Sequence, residues 1–190
     1  MTDQDKDVVD ILSEDHREVE EMFRELESLG VSDPAVQARG RLLVDQVTIA
    51  LVRHAVAEEV VVYPAVKERV SEEEAERAKR EHAEAEESMK ALERLDPEDP
   101  SFDQEIRKLM TEIRTHVAEE EGEMFPHMRE VMSREELVKL GGQVEAIKAM
   151  APTRPHPSVP NEPGPRLAAG PVAGLFDRLR DLASGRGKEG

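Results

Sequence analysis

The chain has 190 residues and a formal net charge of −17, with 36% charged residues, 3% aromatics and neither Cys nor Trp. The acidic balance argues against nucleic-acid binding by the bulk of the protein, because phosphates would be repelled. Without cysteine there are no disulfides, iron–sulfur clusters or zinc-thiolate sites, so any transition metal must be held by nitrogen and oxygen.

The scarcity of aromatic residues suits helices better than a β-sandwich, and an all-α fold is the expectation. Met1–Asp10 has neither the basic start nor the apolar run of a secretory signal. No stretch approaches the ~18 continuous apolar residues of a membrane span. A cytoplasmic protein without a membrane span is expected.

Helical periodicity then appears in long segments. The first runs from about Asp5 to Leu29, with Val9, Leu12, His16, Val19, Phe23 and Leu26 on one stripe. The second opens at Pro34, with Asp33 as N-cap, carries Leu43, Val47, Ala50, His54, Glu58 and Val61, and reaches about Val70. The third opens with a capping box at Ser71–Glu74, and its stripe is Ala75, Ala78, His82, Ala85, Met89 and Leu92. Asp96-Pro97-Glu98-Asp99-Pro100 ends it. The fourth is predicted to open at Ser101, with Leu109, Ile113, His116, Glu120, Met124, His127 and Val131. A shorter fifth helix follows from Ser133 to about Met150, weakened by Gly141-Gly142.

Composition changes after that. Residues 1–150 read as a helical bundle, 151–171 as a Pro-rich, extended linker, and 172–190 as a short amphipathic helix and tail carrying Leu175, Phe176, Leu179 and Leu182. Residues 151–190 carry a net +2, leaving −19 on the bundle. This contrast suggests that the tail docks on the bundle or on a second subunit, so tail-mediated self-association is an expectation.

The chain also repeats internally. His54-Ala-Val-Ala-Glu58-Glu59-Val-Val-Val-Tyr63-Pro64 aligns without gaps on His116-Val-Ala-Glu-Glu120-Glu121-Gly-Glu-Met-Phe125-Pro126, and Asp15-His16 matches Glu81-His82. Two like hairpins pack naturally about a pseudo-two-fold axis, bringing their histidines to one level. Pro64 and Pro126 should kink their helices at matching places.

Four histidines are each followed four residues later by Glu: His16/Glu20, His54/Glu58, His82/Glu86 and His116/Glu120. Residues so spaced share a helix face. Each His lies on an apolar stripe, and burying imidazoles without partners costs several kcal/mol. Position eight after the His is apolar in the second and fourth helices (Val62, Met124), which buries Glu58 and Glu120. In the first and third it is basic (Arg24, Lys90), which makes Glu20 and Glu86 solvated i,i+4 partners.

The expected metal ligands are therefore His16, His54, Glu58, His82, His116 and Glu120, with Glu86, Glu59, Glu121 and Tyr63 as additional candidates. Phe125, the repeat mate of Tyr63, cannot ligate, which favours packing for Tyr63. Six ligands exceed the four of a structural zinc and suit two ions sharing carboxylates. With both Glu bridging, each ion has two His and two bridging oxygens. A shared oxo or hydroxo group would add a fifth ligand and leave one position open. Such donors favour iron, with manganese the substitute.

Asp15-His16-Arg17-Glu18, His54-x-x-x-Glu58-Glu59-x-x-x-Tyr63-Pro64, Glu81-His82 and His116-x-x-x-Glu120 together resemble the hemerythrin-like, or HHE cation-binding, family over about residues 8–131. The resemblance implies an up-down four-helix bundle enclosing a non-haem di-iron centre with two bridging carboxylates. Two departures from the oxygen carriers stand out. Their third helix has an HxxxH pair, whereas Ala78 stands four before His82. Their last carboxylate is an Asp five after the His, whereas Glu120 is four after, with Glu121 at five. Both point away from simple reversible O2 carriage. They favour binding of or reaction with O2, H2O2 or NO, catalase-like if the protein is an enzyme. The alternatives are an iron, oxygen or redox sensor and a metal store.

Overall fold

The computed structural model describes residues 6–29 and 34–151. Asp33 and the tail from residue 152 onward, including His156 and the expected linker and final helix, lie outside them. The described residues form α1 (Val8–Ser28), α2 (Pro34–Ala57), α3 (Tyr63–Arg69), α4 (Glu72–Arg94), α5 (Pro100–Glu119), α6 (Phe125–Val131) and α7 (Arg134–Met150). One π-helical turn, Glu58–Val62, joins α2 to α3, and another, Glu120–Met124, joins α5 to α6. The described residues thus run as five continuous helices, an all-α bundle of the expected kind.

Helix ends follow their capping residues. α1 begins later than its periodicity suggests, at Val8, because Asp7 and Asp10 form a reciprocal capping box. Ser71 accepts from the Glu74 amide at the start of α4, and Ser133 and Glu136 cap α7 reciprocally. The fourth helix starts at Pro100 rather than Ser101. Asp99 is its N-cap, and proline suits the first helical position, where no amide donor is needed.

The two prolines shape the long helices through the turns that precede them. A proline has no N–H to continue the ladder. Just before each one, the Tyr63 amide reaches back to the Glu58 carbonyl and the Phe125 amide to that of Glu120, five residues away. The expected kinks are therefore π turns, a form often found at functional sites.

Two apolar clusters lie on either side of the histidine layer. One joins the N-terminal half of α1 to α3, α6 and α7 through Val8, Leu12, Val66, Met128 and Val144. The other joins the C-terminal half of α1 to α2, α4 and α5 through Phe23, Val47, Leu92 and Leu109. α7 packs on α1 and α2, and the Arg53 guanidinium donates to the Lys148 carbonyl near its end.

Gly141 permits this close packing. A Cβ there would lie 3.0 Å from Ile11 Cδ1, 3.2 Å from the Val8 nitrogen and 3.3 Å from the Asp7 carbonyl carbon. A Cβ on Gly142 would meet nothing within 4 Å. Gly142→Ala should therefore stabilise the fold by about 0.5–1 kcal/mol through helix propensity. Gly141→Ala should destabilise it, because α1 backbone must move. Thermal melts of the two variants beside the parent check the opposite signs.

Candidate metal centre

Four helices deliver one histidine each to a common level: His16 from α1, His54 from α2, His82 from α4 and His116 from α5. All are buried, and Glu58 and Glu120 from the π turns are more deeply buried still, at 0% and 1% exposed. The imidazoles pair through their Nε2 atoms, His16 with His54 at 3.3 Å and His82 with His116 at 3.1 Å. Each carboxylate spans both pairs. Glu58 Oε2 lies 3.0 Å from His54 Nε2 and 3.3 Å from His82 Nε2. Glu120 Oε2 lies 3.4 Å from His116 Nε2 and 3.5 Å from His16 Nε2.

A second ring of carboxylates faces the outer nitrogens. His16 Nδ1 meets Glu121 at 2.9 Å, His54 Nδ1 meets Asp15 at 3.2 Å, His82 Nδ1 meets Glu59 at 3.3 Å and His116 Nδ1 meets Glu81 at 2.8 Å. The ring is cyclic. α1 supplies Asp15 to α2, the first π turn supplies Glu59 to α4, α4 supplies Glu81 to α5, and the second π turn supplies Glu121 back to α1.

An ionised carboxylate only accepts, so each Nδ1 carries a hydrogen and, in the neutral ring, Nε2 is a bare lone pair. Four lone pairs and two carboxylates then converge without donors enough to satisfy them. Glu58 Oε1 and Glu120 Oε2 accept no hydrogen bond, although an unpaired buried carboxylate oxygen costs several kcal/mol. Cations resolve this conflict. Two nitrogens bound to one ion at ~2.1 Å and near a right angle lie about 3 Å apart, which matches both imidazole pairs. His16, His54, Glu58 and Glu120 could hold one ion, and Glu58, His82 and His116 a second, since each set keeps its donor atoms within 4.8 Å of one another.

The remaining candidates separate. Glu59 and Glu121 face outer histidine nitrogens rather than the centre. Glu86 pairs with Lys90 at 3.6 Å, away from the cluster. Glu20 pairs with Arg24 and Arg114. Exposed His127 meets Glu74.

Tyr63 does more than pack. Its hydroxyl lies 2.9 Å from Glu120 Oε1, 3.2 Å from Glu58 Oε2 and 3.0 Å from His82 Nε2. In a regular helix, five positions from Glu58 is about 140° round the axis; the π turn brings Tyr63 back to the same side. Its repeat mate Phe125 instead stacks on His16, with centroids 5.8 Å apart. The two halves of the centre are therefore unlike.

Reasoning from spacing alone missed Asp15 and Glu81 as partners of the histidines. Their signal was present, because each directly precedes a histidine. The partner, however, is on a neighbouring helix.

On the side away from Tyr63 lies a cavity of about 30 Å³, two to three times the roughly 10–15 Å³ a water needs. The four histidines floor it, and Val19, Leu51, Ala85, Met89, Ile113 and Val117 wall it.

For His54, Glu58 and Glu120 burial opposes the charged form, and the partners outweigh it. Burial lowers His54, but Glu58 and Asp15 raise it to about 10. Burial and Glu120 push Glu58 up, but His54 and His82 bring it below the usual carboxylate range. Glu120 is held well below that range against its own burial by His116 and His16. Burial, Glu120 and Glu58 raise Tyr63 well above an ordinary phenol, so it stays a hydrogen-bond donor.

A buried layer of imidazoles and carboxylates across a helical bundle defines a cation-binding helical protein. The hemerythrin HHE cation binding domain matches residues 6–128, and this chain belongs to that family, whose domain binds cations. It is 29% identical over 178 residues to an uncharacterized hemerythrin-like protein of Schizosaccharomyces pombe, covering 92% of this chain and 85% of the relative. It is 27% identical over 146 residues to a DNA nickase of Nostoc, covering 77% of this chain but only 40% of the nickase. The crystal structure of a hemerythrin HHE cation binding domain-containing protein from Mycobacterium kansasii shares the fold. Its TM-score is 0.66 at 22% identity, over 96% of this chain and 95% of the other.

Two outcomes are expected. In metal-free protein, the raised His54 contributes stability that is complete below its ordinary value of 6.5 and lost as pH climbs toward about 10. Metal affinity has the opposite slope, because ions displace those protons and bind better as pH rises. Melting curves against pH with and without metal should therefore diverge. Asp15→Asn or Glu81→Gln should weaken metal binding by about 10–100-fold, measured by competition with a chromophoric chelator.

Proposed function

We propose that the protein is a non-haem di-iron protein that binds or reacts with O2, H2O2 or NO. His16 and His54 would hold one ion, His82 and His116 the other, and Glu58 and Glu120 would bridge them. The observation carrying this reading is the pair of buried carboxylates, each spanning both imidazole pairs, beneath a small apolar cavity. Nitrogen and oxygen donors without thiolate favour iron, with manganese as substitute. Bound iron would supply redox chemistry toward a small oxygen or nitrogen ligand.

The protein's own groups divide the remaining work. The outer carboxylates orient the imidazoles. Tyr63 donates its one hydroxyl hydrogen within the bridging carboxylate pair, Glu120 Oε1 lying nearest at 2.9 Å. The apolar wall around Ala85 and Met89 admits a ligand of a few atoms and excludes bulk water.

A sensing role without turnover is favoured by one contact. Lys148, at the end of α7, holds Asp15 at 2.7 Å, and Asp15 holds His54. Metal state can thus bear on the C-terminal end of α7. No nucleic-acid role is carried over from the nickase, because the shared region is less than half of that protein and this chain carries −17.

Anaerobic purification, metal analysis and optical spectra before and after azide, NO or air test the reading. Two irons per chain with a ligand-sensitive charge-transfer band are expected; one zinc per chain would sink it. Oxygen evolution from peroxide separates a catalase-like enzyme from a sensor. Ala85→Val, which fills the cavity, should keep the metal and abolish the azide response. Tyr63→Phe should keep the metal and shift the band.

A further inference from the structure

Of the residues walling the cavity, Met89 alone carries a soft, oxidisable atom. Apart from Asp15 its neighbours there are aliphatic, and the floor is imidazole. Met89 is 4% exposed, so bulk oxidant does not meet it across open surface. Met124, in the other apolar cluster, is 2% exposed and does not line the cavity. Similar burial with unequal access makes the pair a matched comparison.

We propose that Met89 is an oxidation site: its thioether takes an oxygen atom from a peroxide admitted to the cavity, and the sulfoxide then closes it. The step is complete in its reactants. A sulfur lone pair attacks one peroxide oxygen, the S–O bond forms as the O–O bond breaks, and the second oxygen leaves as water with both protons. Sulfur is oxidised by two electrons and peroxide reduced by two. The new oxygen is polar and enters a space of only about 30 Å³ with apolar walls. A ligand can then no longer approach the histidine floor from that side. Peroxide exposure would thereby shut down the centre that handles it. This inference rests on the proposed function in one respect, that peroxides enter this cavity.

The test uses the full chain loaded with iron, treated with limited hydrogen peroxide and followed by peptide mass spectrometry. Exposed Met150 (49%) reports that oxidant is present. Met89 should gain one oxygen at about ten times the rate of Met124, because susceptibility follows access. Azide titration of the optical band should lose amplitude in step with Met89 oxidation. Met89→Leu, referred to its own untreated value, should lose none. Equal rates at Met89 and Met124 would overturn the proposal, as would equal loss of azide response in Met89→Leu. If azide never perturbs the band, the proposed function fails, while the ratio of the two methionines still decides the oxidation site.

Discussion

Everything at the centre follows from how the outer nitrogens of four buried histidines are satisfied. A carboxylate on each Nδ1 fixes the hydrogen there and leaves Nε2 bare toward the middle. Neutral imidazoles could not be packed 3.1–3.3 Å apart in this orientation without a proton or a cation between them. Metal-free, the cluster holds protons; loaded, it exchanges them for ions. The bundle's two apolar clusters confine this charged layer above and below, and solvent reaches mainly its outer carboxylates, Glu121 most of all.

The π turns make the layer possible. An ordinary helical turn would direct Glu58 and Tyr63 to different sides. The widened turn places the carboxylate between two imidazoles, the next residue, Glu59, behind His82, and the Tyr63 hydroxyl on the carboxylate. The second π turn repeats the arrangement with Glu120 and Glu121, but Phe125 replaces the phenol. Glu121 is 44% exposed at its side chain, Glu59 only 5%. The internal repeat gives the frame its two like halves, and these differences make the halves chemically distinct.

α7 adds a feature outside the four-helix frame. It seats Gly141 against the start of α1 and reaches the metal layer's outer ring through Lys148 and Asp15. An element remote in sequence thus supports a histidine on α2. The similarity to HHE proteins explains the frame on which the phenol, the cavity wall and the α7 contact are set.

Much was legible before folding. The stripes, the capping Ser71 and Ser133, the His–Glu spacing and the repeat are local patterns, governed by helical periodicity and backbone hydrogen bonding. They marked the five helices and the residues that the fold brings together. The pair Glu20–Arg24 read as solvated because a basic residue stands one turn on; Glu86–Lys90 read the same way, but packing buries Lys90 to 7% exposed, which local spacing does not reveal.

Relations between helices were not legible. That Asp15 serves His54 and Glu81 serves His116, that Tyr63 turns inward, and that an apolar cavity opens above the imidazoles all depend on side chains from different segments meeting. The linear sequence determined periodicity, charge and donor chemistry, because each residue carries those properties with it. Only the packed structure decided which nitrogen meets which oxygen, because distance across a bundle is set by interlocking side chains and widened turns, not by spacing along the chain.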